Sequence, residues 1–139
     1  MVFVAHYYTQ LISDQVNALL DLIANSNDHK LKHLSLEGNI LSFVPGHTVA
    51  SAVCKLQTAE IDRTKLTTEQ LDTLFTLICD TTTLKLHTIK LFNINLTQVN
   101  PHTLATAVCR LHTAHIGYSY MVDEQCAVLL DMVAESTEL

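Results

Sequence analysis

Eight histidines and four cysteines are the side chains of this 139-residue chain best suited to chemistry. His87 and His112 each follow a leucine that opens a similar string, Leu86-x-x-Ile89-x-Leu91 and Leu111-x-x-Ala114-x-Ile116. On adjacent strands the two imidazoles would stand about 4.8 Å apart at the backbone. With His115 nearby they offer nitrogen ligands of the kind zinc takes. No carboxylate or cysteine joins them at ligand spacing, so no metal is assigned. Cys54, Cys79, Cys109 and Cys126 contain no C-x-x-C pair. Cys54 and Cys109 recur in one sequence register, which favours buried reduced thiols packing as small hydrophobes; metal or disulfide chemistry is the alternative. The H-E-x-x-H, G-x-S-x-G, Walker and G-x-G-x-x-G motifs are missing, and three glycines leave little for a phosphate-cradling loop. The expectation is a non-enzyme that uses no cofactor.

The remaining composition narrows the class. A content of 48% hydrophobic and 16% charged residues supports a buried core in one domain. Aromatics make up 6% with no Trp, so that core is built from Leu, Ile, Val and Ala. A net charge of −6, with lysines and arginines scattered, disfavours nucleic acid and sooner suits a basic protein partner. Met1 leads directly into Val2-Phe3-Val4, with no charged leader and no membrane-spanning run. The expected location is therefore cytoplasmic, a reducing compartment.

The elements that position these side chains come from a repeat. Residues 31–41 read L-x-x-L-x-L-x-x-N-x-L, and the string returns from Leu56, Leu86 and Leu111. Laying residues 31–55 on 86–110 gives ten identities, among them Leu36/Leu91, His47/His102 and Cys54/Cys109, so a whole unit recurs, not only its leucines. Laying 56–84 on 111–139 gives nine, including Gln70/Gln125. The repeats are then 1–30, 31–55, 56–85, 86–110 and 111–139, alternately long and short. Period-two alternation in the leucine string predicts a short strand. Val16, Leu19, Leu20 and Ile23, then Leu71, Leu74, Phe75 and Ile78, then Cys126, Leu129, Leu130 and Val133, each trace one helical face. Ser13, Thr68 and Asp123 are the expected N-caps of those helices, and Asn100-Pro101 is a cap and first-turn pair for a shorter one.

The chain thus resembles a leucine-rich-repeat protein, and its long–short alternation is most similar to the ribonuclease-inhibitor-like class, which includes the repeat regions of cytosolic nucleotide-binding immune receptors. The resemblance implies an α/β solenoid of about five strand–helix repeats, with a parallel sheet on the concave face and helices on the convex face. Asn39 matches the motif's asparagine; Thr9, Thr64, Ile94 and Ser119 replace it, and Thr and Ser can still bond a neighbouring amide. Ile94 cannot bond a neighbouring turn, so the fourth turn is expected to be the least regular, with Asn93 or Asn95 as a substitute. The first strand, Phe3-Val4-Ala5-His6-Tyr7, is apolar with an unpaired edge. Either the chain is a piece of a longer array, or a homodimer forms through that N-terminal edge strand. The C-terminal end, closed by a full helix, is expected to be better covered.

The same resemblance places the third, fifth, seventh and eighth motif positions outward on the concave face. They are Phe3, Ala5, Tyr7 and Tyr8; His33, Ser35, Glu37 and Gly38; Thr58, Glu60, Asp62 and Arg63; Thr88, Lys90, Phe92 and Asn93; and Thr113, His115, Gly117 and Tyr118. The partner-binding candidates are Tyr7, Tyr8, Phe92 and Tyr118 as aromatic anchors, with Glu37, Glu60, Asp62, Arg63, Lys90 and His115 beside them. The expected function is a protein–protein interaction module. The alternatives are a regulator of a small GTPase or other enzyme, with Arg63 the only arginine on the face, and a self-associating structural fragment.

Overall fold

The computed structural model describes residues 1–5 and 11–136. Strands and helices alternate along the chain: β1 (Val2–Val4), α1 (Ser13–Asn25), β2 (His33–Ser35), α2 (Gly46–Cys54), β3 (Thr58–Glu60), α3 (Thr68–Asp80), β4 (Thr88–Lys90), α4 (Pro101–Cys109), β5 (Thr113–His115) and α5 (Asp123–Ser136). The five strands form one sheet in chain order, every pair parallel. Each helix packs on the next in sequence, so a row of helices accompanies the row of strands. The architecture is α/β and repeat-like, as the leucine periodicity predicts.

One apolar cluster runs through the units. It joins the inward strand residues Leu34, Ala59 and Ile89 and the subsequent Leu36, Ile61 and Leu91 to Leu20, Val49, Leu71, Phe75 and Leu104 from the helices. A strand of three residues and a single helix cannot bury their apolar face alone; each unit is completed by its neighbours.

Backbone bonds carry the same pattern. The amides of Leu36, Ile61 and Leu91 donate to the carbonyls of Glu60, Lys90 and His115 in the next strand, at 2.8–3.1 Å. Ala5 donates equivalently to Ser35 at 2.8 Å. This corrects the expected register of β1. Val2 pairs with His33 and Phe3 with Leu34, so Ala5, not His6, occupies the inward position beside Leu36. Phe3 and Ala5 therefore face inward and Val2 and Val4 outward, the reverse of the expectation from sequence. A one-residue slip exchanges the two faces of a strand. The slip fills the core position with a fully buried methyl group, where the unslipped register would bring an imidazole. Among the residues expected on this strand, His6, Tyr7 and Tyr8 lie outside the described residues, as does Thr9 in the first turn.

The long helices begin where expected, but Ser13, Thr68 and Asp123 are their first helical residues rather than their caps. The cap positions belong to Ile12, Thr67 and Val122. Only Thr67 has a side chain able to cap: its hydroxyl accepts from the Gln70 amide at 3.2 Å. In the short unit, Asn100 caps α4 as predicted, its Oδ1 accepting from the amides of His102 and Thr103 at 3.0 and 3.1 Å.

The C-terminal end is less covered than the sequence suggests. Leu130 is 68% exposed and Val133 40%, against 1% and 0% for their counterparts Phe75 and Ile78 in α3. The cysteines divide as well. Cys54 is buried, Cys79 half-buried, and Cys109 and Cys126 exposed; all four are free thiols. The expectation of buried thiols holds for Cys54 and fails for Cys109 and Cys126, because a shared register does not give equal cover near the end of the stack. Among the described residues no helix is long and apolar enough to cross a membrane.

Candidate functional site

Every strand has three residues, and its first and third side chains point away from the helices, so these two positions repeat five times across the outer face of the sheet. Third positions Ser35, Glu60, Lys90 and His115 stand side by side in the ladder. Side chains of adjacent strands meet: Lys90 Nζ forms an ion pair with Glu60 Oε1 at 3.1 Å, and the His33 imidazole Nε2 approaches the same oxygen at 3.5 Å. Burial alone would raise the Glu60 pKa. Hydrogen bonds from Lys90 and Ser35, with the charges of Lys90 and His33, outweigh it and hold the carboxyl below its ordinary range.

The turn after each strand adds the seventh and eighth motif positions. Asp62 is buried, and its Oδ1 accepts the Phe92 amide of the next unit at 2.7 Å. Burial raises the Asp62 pKa; the Phe92 amide opposes this, while the Glu37 and Glu60 carboxylates add to it, and the net shift is upward. Arg63 sits 3.9 Å from Glu37. Phe92 lies over Gly117 so closely that a Cβ there would fall 2.6 Å from the ring, which explains the small residue at that position. The Phe92 ring is also 6.0 Å from that of His115.

The eighth position has a common backbone state. Gly38, Arg63, Asn93 and Tyr118 all have positive φ, from 56 to 80°. Glycine and asparagine suit that region, but a Cβ carrying a bulky side chain is strained there. Arg63 and Tyr118 occupy it nonetheless, and Tyr118 is 92% exposed. Arg63, Phe92, Asn93, Tyr118, Ser119 and Tyr120 line a cavity of about 520 Å³. A second cavity of about 710 Å³ shares Arg63 and Asn93 with it and continues along the turns past Gly38 and Lys65 to Ile12. The structure therefore gathers Glu60 and Lys90 on the strands and Glu37, Asp62, Arg63, Phe92 and Tyr118 along one edge of the sheet, with His115 beside Phe92.

The turns themselves are held by side chains between units. Asn39 donates to the Ala5 carbonyl at 2.8 Å and accepts the Leu11 amide at 2.8 Å. The fourth turn keeps the left-handed residue of the others, at Asn93, but its inter-unit amide bond is longer, 3.4 Å to Gly117 against 3.0 Å for Gly38 and Arg63, in line with the expectation that it is the least regular. Ile94 is simply buried there, and Ser119 of the next unit does the bonding, donating to the Leu91 carbonyl and accepting the Ile94 amide at 3.4 Å. Neither Asn93 nor Asn95 substitutes.

Two further clasps are not visible from sequence. Gln70 donates to the carbonyls of Leu41 and Val44 at 2.7 and 2.6 Å, and Gln125 donates to those of Leu96 and Val99 at 2.6 and 2.8 Å. Lys55 reaches back to the Ala24 carbonyl at 2.5 Å, and its counterpart Arg110 to those of Ile78 and Cys79. Each cation thus meets the negative end of the preceding long helix. The recurrence of Gln and of a cation at these places was the available signal; what each side chain touches was not.

The His87 and His112 rings stand 4.4 Å apart, edge to face. Among the described residues no three His, Cys, Asp or Glu side chains are grouped so as to hold a metal ion. The Cys54 thiol is pushed up to about 12 by burial, against the pull of Arg110. Burial, with Asp80 adding and Arg110 opposing, raises Cys79 too. No protein-family model, curated protein or solved structure matches the chain.

Proposed function

We propose that the chain is a leucine-rich-repeat solenoid of the ribonuclease-inhibitor-like class, working in the cytoplasm as a non-catalytic module that binds another protein through its concave sheet face and adjoining turn edge. The observation that carries this reading is Tyr118. The framework is repeated closely from unit to unit, yet at the eighth position of the last turn a large aromatic side chain projects into solvent from a backbone state that favours glycine. Strain of this kind is kept where a side chain is needed for something other than folding. Phe92, His115 and Arg63 border the same cavity or lie beside it, giving aromatic and arginine anchors of the sort that dominate protein interfaces.

The test uses the full chain as bait in a cytosolic extract, compared with Tyr118→Gly and Phe92→Ala. A specific partner should be retained by the native chain and lost from both variants, while Tyr118→Gly unfolds at an equal or higher temperature. Unchanged capture by both variants overturns the assignment of the face.

A further inference from the structure

We infer that the end face of the stack formed by β1, the start of α1 and Leu22 is a docking face for one further short unit: a strand, a turn offering two carbonyls three residues apart, and a nine-residue helix. This goes beyond the proposed function and uses none of the anchor residues named there.

The interface between a short unit and the long unit after it occurs twice in the chain. Both times the long unit contributes one glutamine. Gln70 Oε1 accepts the Thr67 amide at 2.8 Å while Nε2 holds the carbonyls of Leu41 and Val44. Gln125 Oε1 accepts the Val122 amide at 2.9 Å while Nε2 holds those of Leu96 and Val99. Gln15 is the third member. Its Oε1 accepts the Ile12 amide at 2.9 Å in the same way, and its Nε2 has no partner among the described residues. Half of the clasp is formed, and the half that reaches a preceding short turn is open.

Three more features of this face match. Leu77 lies beside Ala50 and Ser51 of α2, and Met132 accepts a contact from Thr106 of α4 at 3.8 Å. Leu22, in the same register, is 67% exposed. The carbonyls of Ser35, Glu60, Lys90 and His115 each accept an amide from the preceding unit, and Val4 is next in that series at the free edge of the sheet. Met1, Val2 and Ile12 add exposed apolar surface to the same end.

A long unit does not fill this face: in the unit at 111–136, α5 starts right after Met121-Val122, without the Leu-x-x-Val turn whose two carbonyls fill the clasp. The occupant is a short unit of the kind seen at 31–55 and 86–110.

The probe is a second copy of the 31–56 sequence joined ahead of Met1 of the full chain. The extra residue allows for the slipped register of β1. The reference fusion carries a copy of 56–85 instead. The short-unit fusion should raise the unfolding temperature by roughly 5 °C or more, slow exchange of the Gln15 side-chain amide protons, and shift the Leu22 methyl resonances. Gln15→Leu should remove a large part of that gain while leaving the unfused chain within about 1 °C of native. An equal gain from the long-unit fusion, a gain untouched by Gln15→Leu, or unchanged Gln15 and Leu22 resonances would each overturn the inference. So would light scattering that shows the unfused chain forming oligomers abolished by Leu22→Glu.

Discussion

Helices α3 and α5 occupy equivalent places in their units, but among the described residues α3 has a following helix packed against it and α5 does not. Phe75 and Ile78 are sealed against α4, whereas Leu130 and Val133 meet solvent. The helical periodicity is the same in both. The amphipathic pattern therefore identifies which side of a helix is able to be buried, and the neighbouring unit determines whether it is. The same lesson appears at the other end, where Gln15 repeats the sequence and half the bonding of Gln70 without a turn to close on.

The sharpest way to break this comparison is to truncate equivalent positions. Phe75→Ala should cost about 3–5 kcal/mol, the range for a large buried side chain. Leu130→Ala should stay within about 0.5 kcal/mol, as exposed substitutions do. Urea titrations of both variants measure the difference, and equal costs would show that α5 is covered in solution.

Next in size is the glutamine pair. Gln70→Leu leaves two turn carbonyls without their donor and should cost about 2–3 kcal/mol. Gln15→Leu loses a single exposed bond and should cost no more than about 0.5 kcal/mol. Thermal unfolding of both variants checks the ratio. Tyr118→Gly should work in the opposite direction, stabilising by about 0.5–1 kcal/mol through release of left-handed strain. Gly38→Ala should destabilise, and the sign difference is readable in the same assay.

The smallest expected effect is the pH dependence of the sheet face, within the roughly 0–1 kcal/mol typical of partly exposed pairs. Glu60 is held below its ordinary value of 4.5, so its contribution is complete above that pH and fades as pH falls through the lower folded value. Asp62 is held above its ordinary value of 3.8, so it favours the folded state at low pH and loses that advantage as pH rises through the folded value. Asp62→Asn keeps an acceptor for the Phe92 amide. It should therefore raise stability at pH 7 and leave it unchanged at pH 3, whereas Glu60→Gln should flatten the loss on the acid side.

Much of the fold is legible in the chain, because period-two and helical patterns repeat with the same spacing, and each repetition confirms the last. Strand–helix alternation and the Asn100-Pro101 helix start can be read from residue type alone. The slip of β1 cannot. The repeat spacing aligns His6 with Leu36 and Ile61, and only the ladder shows Ala5 at that position. Ser119 is legible in part: a serine at the motif's asparagine position can still bond a neighbouring amide, and it accepts that of Ile94, whereas its bond to the Leu91 carbonyl is seen only in the structure. The candidate surface was legible as a set of positions: Glu60 with Lys90, and Phe92 with His115, adjoin as the register requires. That Asp62 is buried under a backbone bond, and that Arg63 and Tyr118 adopt a left-handed backbone, depends on turn geometry that no spacing rule encodes.

Successive units stack in one parallel order and so bury a single shared spine, and methyl NOE spectroscopy on a selectively labelled chain tests this most directly. Cross-peaks should run in sequence from Leu36 to Ile61, Ile61 to Leu91 and Leu91 to Ile116, with Ala5 joining at Leu36. A break in that series, or His6 in place of Ala5 beside Leu36, would contradict the stacked arrangement.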